Sequence, residues 1–208
     1  IVEQVVQDCR DLGIYTYCNI VMGLPGETKE DIEDGRHFLK TIHADWFGIF
    51  IANPLVGSEM FDICIDNDFL QENWIGSDYK QAVVSTDDWD SDWIQKKAYQ
   101  MNLELNLIEN SNYRLGDYEG ALEAFERVLK TKESHPIALY MAAKCLFRLN
   151  QPEKARSYLD TVLTVCRKDS FWQSHSDYFE LDVDSLNRDY PPNPVASASS
   201  NAKPSDEN

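Results

Sequence analysis

Residues 19–31 (NIVMGLPGETKED) combine an apolar run, two glycines flanking Leu-Pro and a group of carboxylates. Residues 15–22 (YTYCNIVM) are β-branched and aromatic enough for a buried strand, which Gly23, Pro25 and Gly26 end in a tight turn. Thr28 then offers an N-cap hydroxyl, and Asp31 closes an acidic variant of the capping box ahead of Ile32, Phe38, Leu39 and Ile42. The turn therefore lies at the carboxyl end of a strand, where parallel β/α folds gather their ligands. No Gly-Lys-Ser/Thr follows the glycines, and the spacing of a dinucleotide fingerprint is absent, so a phosphate cradle is excluded. An ordinary strand-to-helix connection uses the same glycines and proline, so the turn alone does not name a reaction.

Other reactive side chains form no convincing constellation. Glu27, Glu30 and Asp31 sit near a helix start, where the helix dipole accounts for them, although Glu27 could face the rim of a site. His37 and His43 would point away from each other on one helix, His135 precedes Pro136 in a turn, and His175 stands alone. Solvated or turn positions are expected for them. Asp88, Asp90 and Asp92 alternate like the first ligands of a calcium loop, but Trp93 and Tyr99 occupy the positions needing glycine and glutamate. A solvated helix entry capped by Ser91 fits better. The five cysteines (Cys9, Cys18, Cys64, Cys145, Cys166) never pair closely, against both a disulfide scaffold and a complete local metal knuckle.

The chain can bury a core: 208 residues with 43% hydrophobic content suit one to two domains. With 36 acidic against 19 basic side chains, the net charge of −17 makes nucleic acid and anionic membranes poor partners. No apolar run approaches a membrane span and the first residues carry no signal-peptide pattern, so the cytoplasm is the expected compartment. Residues 1–14 already read as a helix in mid-stride, which implies sequence upstream of Ile1.

Helix, strand, turn, helix and strand follow one another up to Ile51 (WFGIFI at its end), the order of right-handed crossovers in a parallel sheet. Residues 53–60 (NPLVGSEM) form a second loop on the same rim, and helical spacing returns through Met60, Ile63 and Cys64. Residues 71–92 read as a linker. From about Trp93 another period governs: Leu115, Ala121 and Phe125 recur as Leu149, Ala155 and Leu159, an offset of 34 each time. Thirty-four is the period of tetratricopeptide helix pairs, and Gly116, Tyr118, Ala121 and Phe125 resemble that family's turn and packing positions. Helices are expected near 93–113, 118–131, 136–148 and 152–166, with Leu122, Phe125, Leu139, Leu146 and Leu159 in their core. Residues 169–190 read as a partly ordered extension, and 191–208, rich in proline, serine and alanine, as a disordered tail.

Residues 12–32 (LGIYTYCNIVMGLPGETKEDI), followed by 44–61 (ADWFGIFIANPLVGSEMF), resemble the C-terminal half of a radical S-adenosylmethionine (radical SAM) core, in the branch that often carries a cobalamin-binding domain. The resemblance covers residues 1–70. For those residues it implies the last strand-helix units of a partial (β/α)6 barrel; with the linker at 71–92 and the tetratricopeptide-like helices at 93–168, the expected fold is α/β then all-α. Asn19 and Val21 match positions facing the adenosyl part of S-adenosylmethionine, with Asn19 standing where relatives often have aspartate, and Gly23, which opens the turn, joins them as an expected cofactor contact. Their spacing puts Asn19 and Val21 on one strand face, and leaves Ile20 and Met22 for the outer helices. Ile51, Ala52 and Asn53 match the strand end laid against the adenine; Pro54, Gly57 and Ser58 resemble the loop that follows.

The same resemblance implies a [4Fe-4S] cluster, with cobalamin as a possible further cofactor. The family's Cys-x-x-x-Cys-x-x-Cys loop is nowhere in the sequence, so the chain is expected to be a C-terminal fragment of an enzyme whose cluster ligands lie upstream, inactive by itself. Substrate, reaction and catalytic residues stay open, and no metal ligand is assigned. The alternative is a non-catalytic interaction module that grips a protein partner through its helical repeats.

Overall fold

A computed structural model describes residues 1–72, 74–75 and 81–190. The expected tail at 191–208, and residues 73 and 76–80 of the expected linker, lie outside the described residues. The chain divides into two compact units, Ile1–Asp117 and Tyr118–Asn208.

In the first unit α1 (Val2–Asp11), β1 (Tyr17–Met22), α2 (Lys29–Thr41), β2 (Trp46–Ile51) and α3 (Glu59–Asp66) follow in order. The capping box at α2 forms as the spacing requires: the Thr28 hydroxyl accepts from Asp31 N–H at 3.1 Å, and the Asp31 carboxylate accepts from Thr28 N–H at 2.9 Å. β1 and β2 pair in parallel, Asn19 opposite Gly48 and Val21 opposite Phe50. The described residues thus show one parallel strand pair, not a barrel.

Beyond α3 the chain keeps to this core. Val83, Val84 and Trp89, in the segment read as a linker, are buried with the strands, and Leu70 bridges Val84. Helix α4 (Ser91–Leu103) joins the same cluster through Ile94, Ala98 and Met101, and a π-helical turn at Glu104–Ile108 adds Leu105. Those four apolar positions recur at helical spacing, which gives α4 a face to lay on the sheet layer. A charged clasp ties it to α2: Arg36 meets Glu33 and Glu104, both at 2.7 Å, while Lys97 pairs with Glu33 and Lys40 with Glu104. The short α5 (Ser111–Arg114) completes the unit. The helix expected from 93 therefore packs with the β/α elements, because its apolar face matches their core.

The two edges of the sheet differ. Asn106, 1% exposed, sits in the π turn and treats Phe47 as a strand would, its Oδ1 accepting from Phe47 N–H and its Nδ2 donating to Phe47 C=O, both at 2.8 Å. A side-chain amide thus caps the outer edge of β2 at Phe47. On β1, Met22 C=O accepts from Ala52 N–H and Thr16 C=O from Trp46 N–H. Backbone direction alternates along a strand, so Tyr17, Asn19 and Val21 aim their N–H and C=O groups at the other edge, where no described strand pairs.

The described residues of the second unit form helices: α6 (Tyr118–Thr131), α7 (Pro136–Arg148), α8 (Pro152–Lys168), α9 (Ser170–Tyr178) and α10 (Val183–Asp189). Phe125, Leu139, Leu146 and Leu159 are buried as expected, whereas Leu122 is half-buried at the edge of that core. Asn150 at φ 58° repeats, one period later, the left-handed turn that Gly116 makes at φ 82°. Asparagine is the side chain that best tolerates this region.

His135 stands before Pro136 in the connection between α6 and α7, as expected, but is buried there, and His175 is buried and not solvated. His135 caps α7, its Nδ1 accepting from Ala138 N–H at 3.3 Å, and lies 4.6 Å from the Trp172 ring, over which Lys132 also sits. Burial, aided by Lys132 and His175, pushes the His135 pKa down from 6.5 to about 4. An unfolded chain takes up a proton below pH 6.5 while the folded one resists until about 4, so stability is fully present above 6.5 and lost as pH falls. The second unit should lose about 3 kcal/mol over that window, at about 1.4 kcal/mol per pKa unit. His135→Asn keeps a capping oxygen without the titration. Urea unfolding at several pH values should give a flatter profile for it than for the unaltered chain.

Candidate functional site

Strand alternation divides the sheet into two unlike faces. Cys18, Ile20 and Met22 of β1 and Phe47, Ile49 and Ile51 of β2 pack into the core, while Tyr17, Asn19 and Val21 lie exposed on the opposite face. Parallel register sets Trp46, Gly48 and Phe50 beside those three. Gly48 is what lets this face close up: a Cβ there would stand 2.5 Å from Asn19 Oδ1, 2.7 Å from Tyr17 OH and 2.7 Å from the Phe50 ring. The Asn19 amide and the Tyr17 hydroxyl therefore converge over a glycine, beside the apolar Val21 and Phe50.

The expected set is brought together only in part. Ile51 turns its side chain to the core with Ile20 and Met22, away from the Asn19 face. Ala52 is buried, its N–H donating to Met22 C=O at 2.8 Å, and Asn53 Nδ2 reaches Ile51 C=O at 3.5 Å. From this segment it is backbone and the small Ala52 that border the strand ends. Gly57, at φ 87°, turns the second loop, and Ser58 caps α3 by accepting from Phe61 N–H at 3.2 Å.

At the end of β1, Gly23 (φ 82°) and Gly26 (φ 93°) take the left-handed conformations that the turn needs. The Glu27 carboxylate accepts from Gly23 N–H at 2.6 Å and Leu24 N–H at 2.9 Å, so it holds the turn from within and is not a free acid on the rim. Trp89 Nε1–H donates to Glu27 C=O at 2.8 Å. Ile94 and the Trp89 ring lie against Gly23, where a Cβ would stand 3.1 Å from Ile94 and 3.6 Å from Trp89.

Elsewhere the candidates serve structure. Asp90, rather than Ser91, caps α4 by accepting from Trp93 N–H at 2.7 Å; Ser91 is buried and hydrogen-bonded to Gln71 and Ser85. No group of three histidine, cysteine or carboxylate side chains among the described residues could hold a metal ion. Cys64, Cys145 and Cys166 are buried and all five cysteines are free thiols. No helix among the described residues is long and apolar enough to cross a membrane. Sequence reasoning passed over Gly48 and Trp89. An isolated glycine within the apolar run WFGIFI was a usable signal, since it marks close approach over a strand.

Residues 113–173 match the tetratricopeptide repeat family. The chain is 25% identical over 120 residues to cytidylyl-2-hydroxyethylphosphonate methyltransferase of Streptomyces wedmorensis, covering 53% of this chain and 22% of that protein. It is 30% identical over 91 residues to TPR repeat-containing protein MJ1428 of Methanocaldococcus jannaschii, covering 43% of this chain and 15% of that one. Uncharacterized methyltransferase PH0819 of Pyrococcus horikoshii is 28% identical over 98 residues, 45% of this chain and 21% of its own length. The chain thus spans less than a quarter of each of these relatives. No solved structure matches it significantly.

Proposed function

We propose that this chain is the C-terminal part of a radical SAM enzyme, with β1 and β2 as the last strands of its barrel and tetratricopeptide helices appended. The observation that carries the reading is the asymmetry of the sheet. One face is packed, the other carries Asn19 and Val21 uncovered, the β2 edge is capped at Phe47 by Asn106, and the β1 edge is left for further strands. A barrel interior requires such a face and such an edge. Relatives named as methyltransferases are in keeping with it, although the reacting group and substrate are not fixed by their names.

The residues present fit part of the cofactor set. S-adenosylmethionine would be held by the Asn19 amide, which can both donate and accept, by the apolar wall at Val21, and by the backbone of Gly23 and of residues 51–53. A reduced [4Fe-4S] cluster, when bound, supplies the electron that cleaves S-adenosylmethionine. Its thiolate ligands do not fit any cysteine set of this sequence, so they would come from polypeptide outside it. Cobalamin rests on the branch resemblance, and no residue here is assigned to it.

A second reading, a protein-binding module, is favoured by the repeat match at 113–173 alone. The reading frame encoding this chain separates the two. A frame that continues upstream of Ile1 through a Cys-x-x-x-Cys-x-x-Cys loop is expected; a start codon directly before Ile1, with no such loop, would leave the module.

A further inference from the structure

We infer that Trp89 is a positioning residue for the strand-end turn, so that the segment following the β/α units sets the shape of the cofactor rim. This deepens the proposed function and rests on it. Three contacts converge. The turn at 23–27 is fixed by one carboxylate, since Glu27 accepts from the amides of both Gly23 and Leu24. The residue carrying that carboxylate is held in turn by Trp89, whose indole N–H donates to Glu27 C=O at 2.8 Å. The ring itself, 3% exposed, lies beside Gly23, where a Cβ would stand 3.6 Å from it and 3.1 Å from Ile94.

Trp89 is itself locked. Its C=O accepts from Thr86 N–H at 2.8 Å, and the cap of α4 follows at Asp90. Movement of α4 would therefore reach Gly23 directly through Ile94, and the Glu27 backbone through the Trp89 ring and its hydrogen bond. Trp93, one turn along, differs: it stacks under Lys29 of α2, 5.1 Å from the ring centroid. That makes Trp93 a control with the same chemistry and a different target.

The test has two arms. In the full 208-residue chain, amide hydrogen exchange is followed at Gly23, Leu24, Ile20 and Met22. Trp89→Phe should speed exchange at Gly23 and Leu24 at least tenfold and leave Ile20 and Met22 within about twofold, whereas Trp93→Phe should leave all four unchanged, because freeing the Glu27 backbone loosens only the amides that its carboxylate holds. Unchanged exchange, equal acceleration at all four amides, or the same result from Trp93→Phe would reduce Trp89 to a core residue and overturn the inference. In the longer, cluster-loaded protein, Trp89→Phe should weaken S-adenosylmethionine binding at least about fivefold while Trp93→Phe does not. Undiminished binding despite a loosened turn would overturn the positioning role. Failure of the unaltered longer protein to bind S-adenosylmethionine would instead remove the proposed function and the cofactor role with it, and the exchange arm would still decide the clamp.

Discussion

Asn106→Leu should destabilise the first unit by about 2 to 6 kcal/mol, at about 1 to 3 kcal/mol for each buried polar group left without its partner. The amide of Asn106 is the edge partner of Phe47: it meets both N–H and C=O at 2.8 Å from a side chain that is 1% exposed. Leucine has the volume but neither the donor nor the acceptor, so two backbone groups lose their bonds where water cannot replace them. Urea unfolding followed by circular dichroism measures the effect. A change below about 1 kcal/mol would mean that Phe47 finds another partner and that the edge of β2 is not closed by Asn106.

Phe125→Ala should cost the helical unit about 3 to 5 kcal/mol, the usual range for emptying a fully buried phenylalanine site. Phe125 is 0% exposed on α6, and Leu159, its counterpart one period later, is 0% exposed on α8. The two therefore mark the same position of successive repeats, and Leu159→Ala should follow with about 2 to 5 kcal/mol. Thermal melting of both variants reads this out. Phe125→Ala melting with the unaltered chain would contradict the repeat assignment at 113–173, because a packing position of the repeat cannot be emptied without loss.

What local chemistry dictates was legible in the sequence. The 34-residue offset placed α6, α7 and the start of α8, the Thr28–Asp31 pair announced the N-terminus of α2, and two-residue alternation separated Asn19 and Val21 from Ile20 and Met22. Long-range pairing was not. Asn106 and Phe47 are 59 positions apart, and nothing in either stretch marks an asparagine that acts as a strand edge. The apolar stripe of Ile94, Ala98, Met101 and Leu105 identifies a helix but not the surface that it covers, so period alone assigned α4 to the repeats while its packing ties it to the strands. Ile51 stands at the strand end that resembles the family's adenine contact, but a resemblance in position does not say which way a side chain turns. Alternation in parallel register puts Ile51 beside Met22, on the packed face.

The most direct measurement is titration of S-adenosylmethionine, together with thermal melting, on Asn19→Leu and Ile20→Asn in the longer, cluster-loaded protein. Asn19 lies on the uncovered face and Ile20, one residue on, packs against the core. Asn19→Leu should weaken cofactor binding by about 1 to 3 kcal/mol, through a ligand hydroxyl left poorly paired, and melt like the unaltered protein. Ile20→Asn should lower the melting temperature by carrying an amide into an apolar seam without an assured partner, while any molecule still folded keeps its affinity. The opposite result, with Asn19→Leu melting early at full affinity and Ile20→Asn stable but unable to bind, would contradict the central claim that the uncovered face of β1 and β2 is the cofactor face.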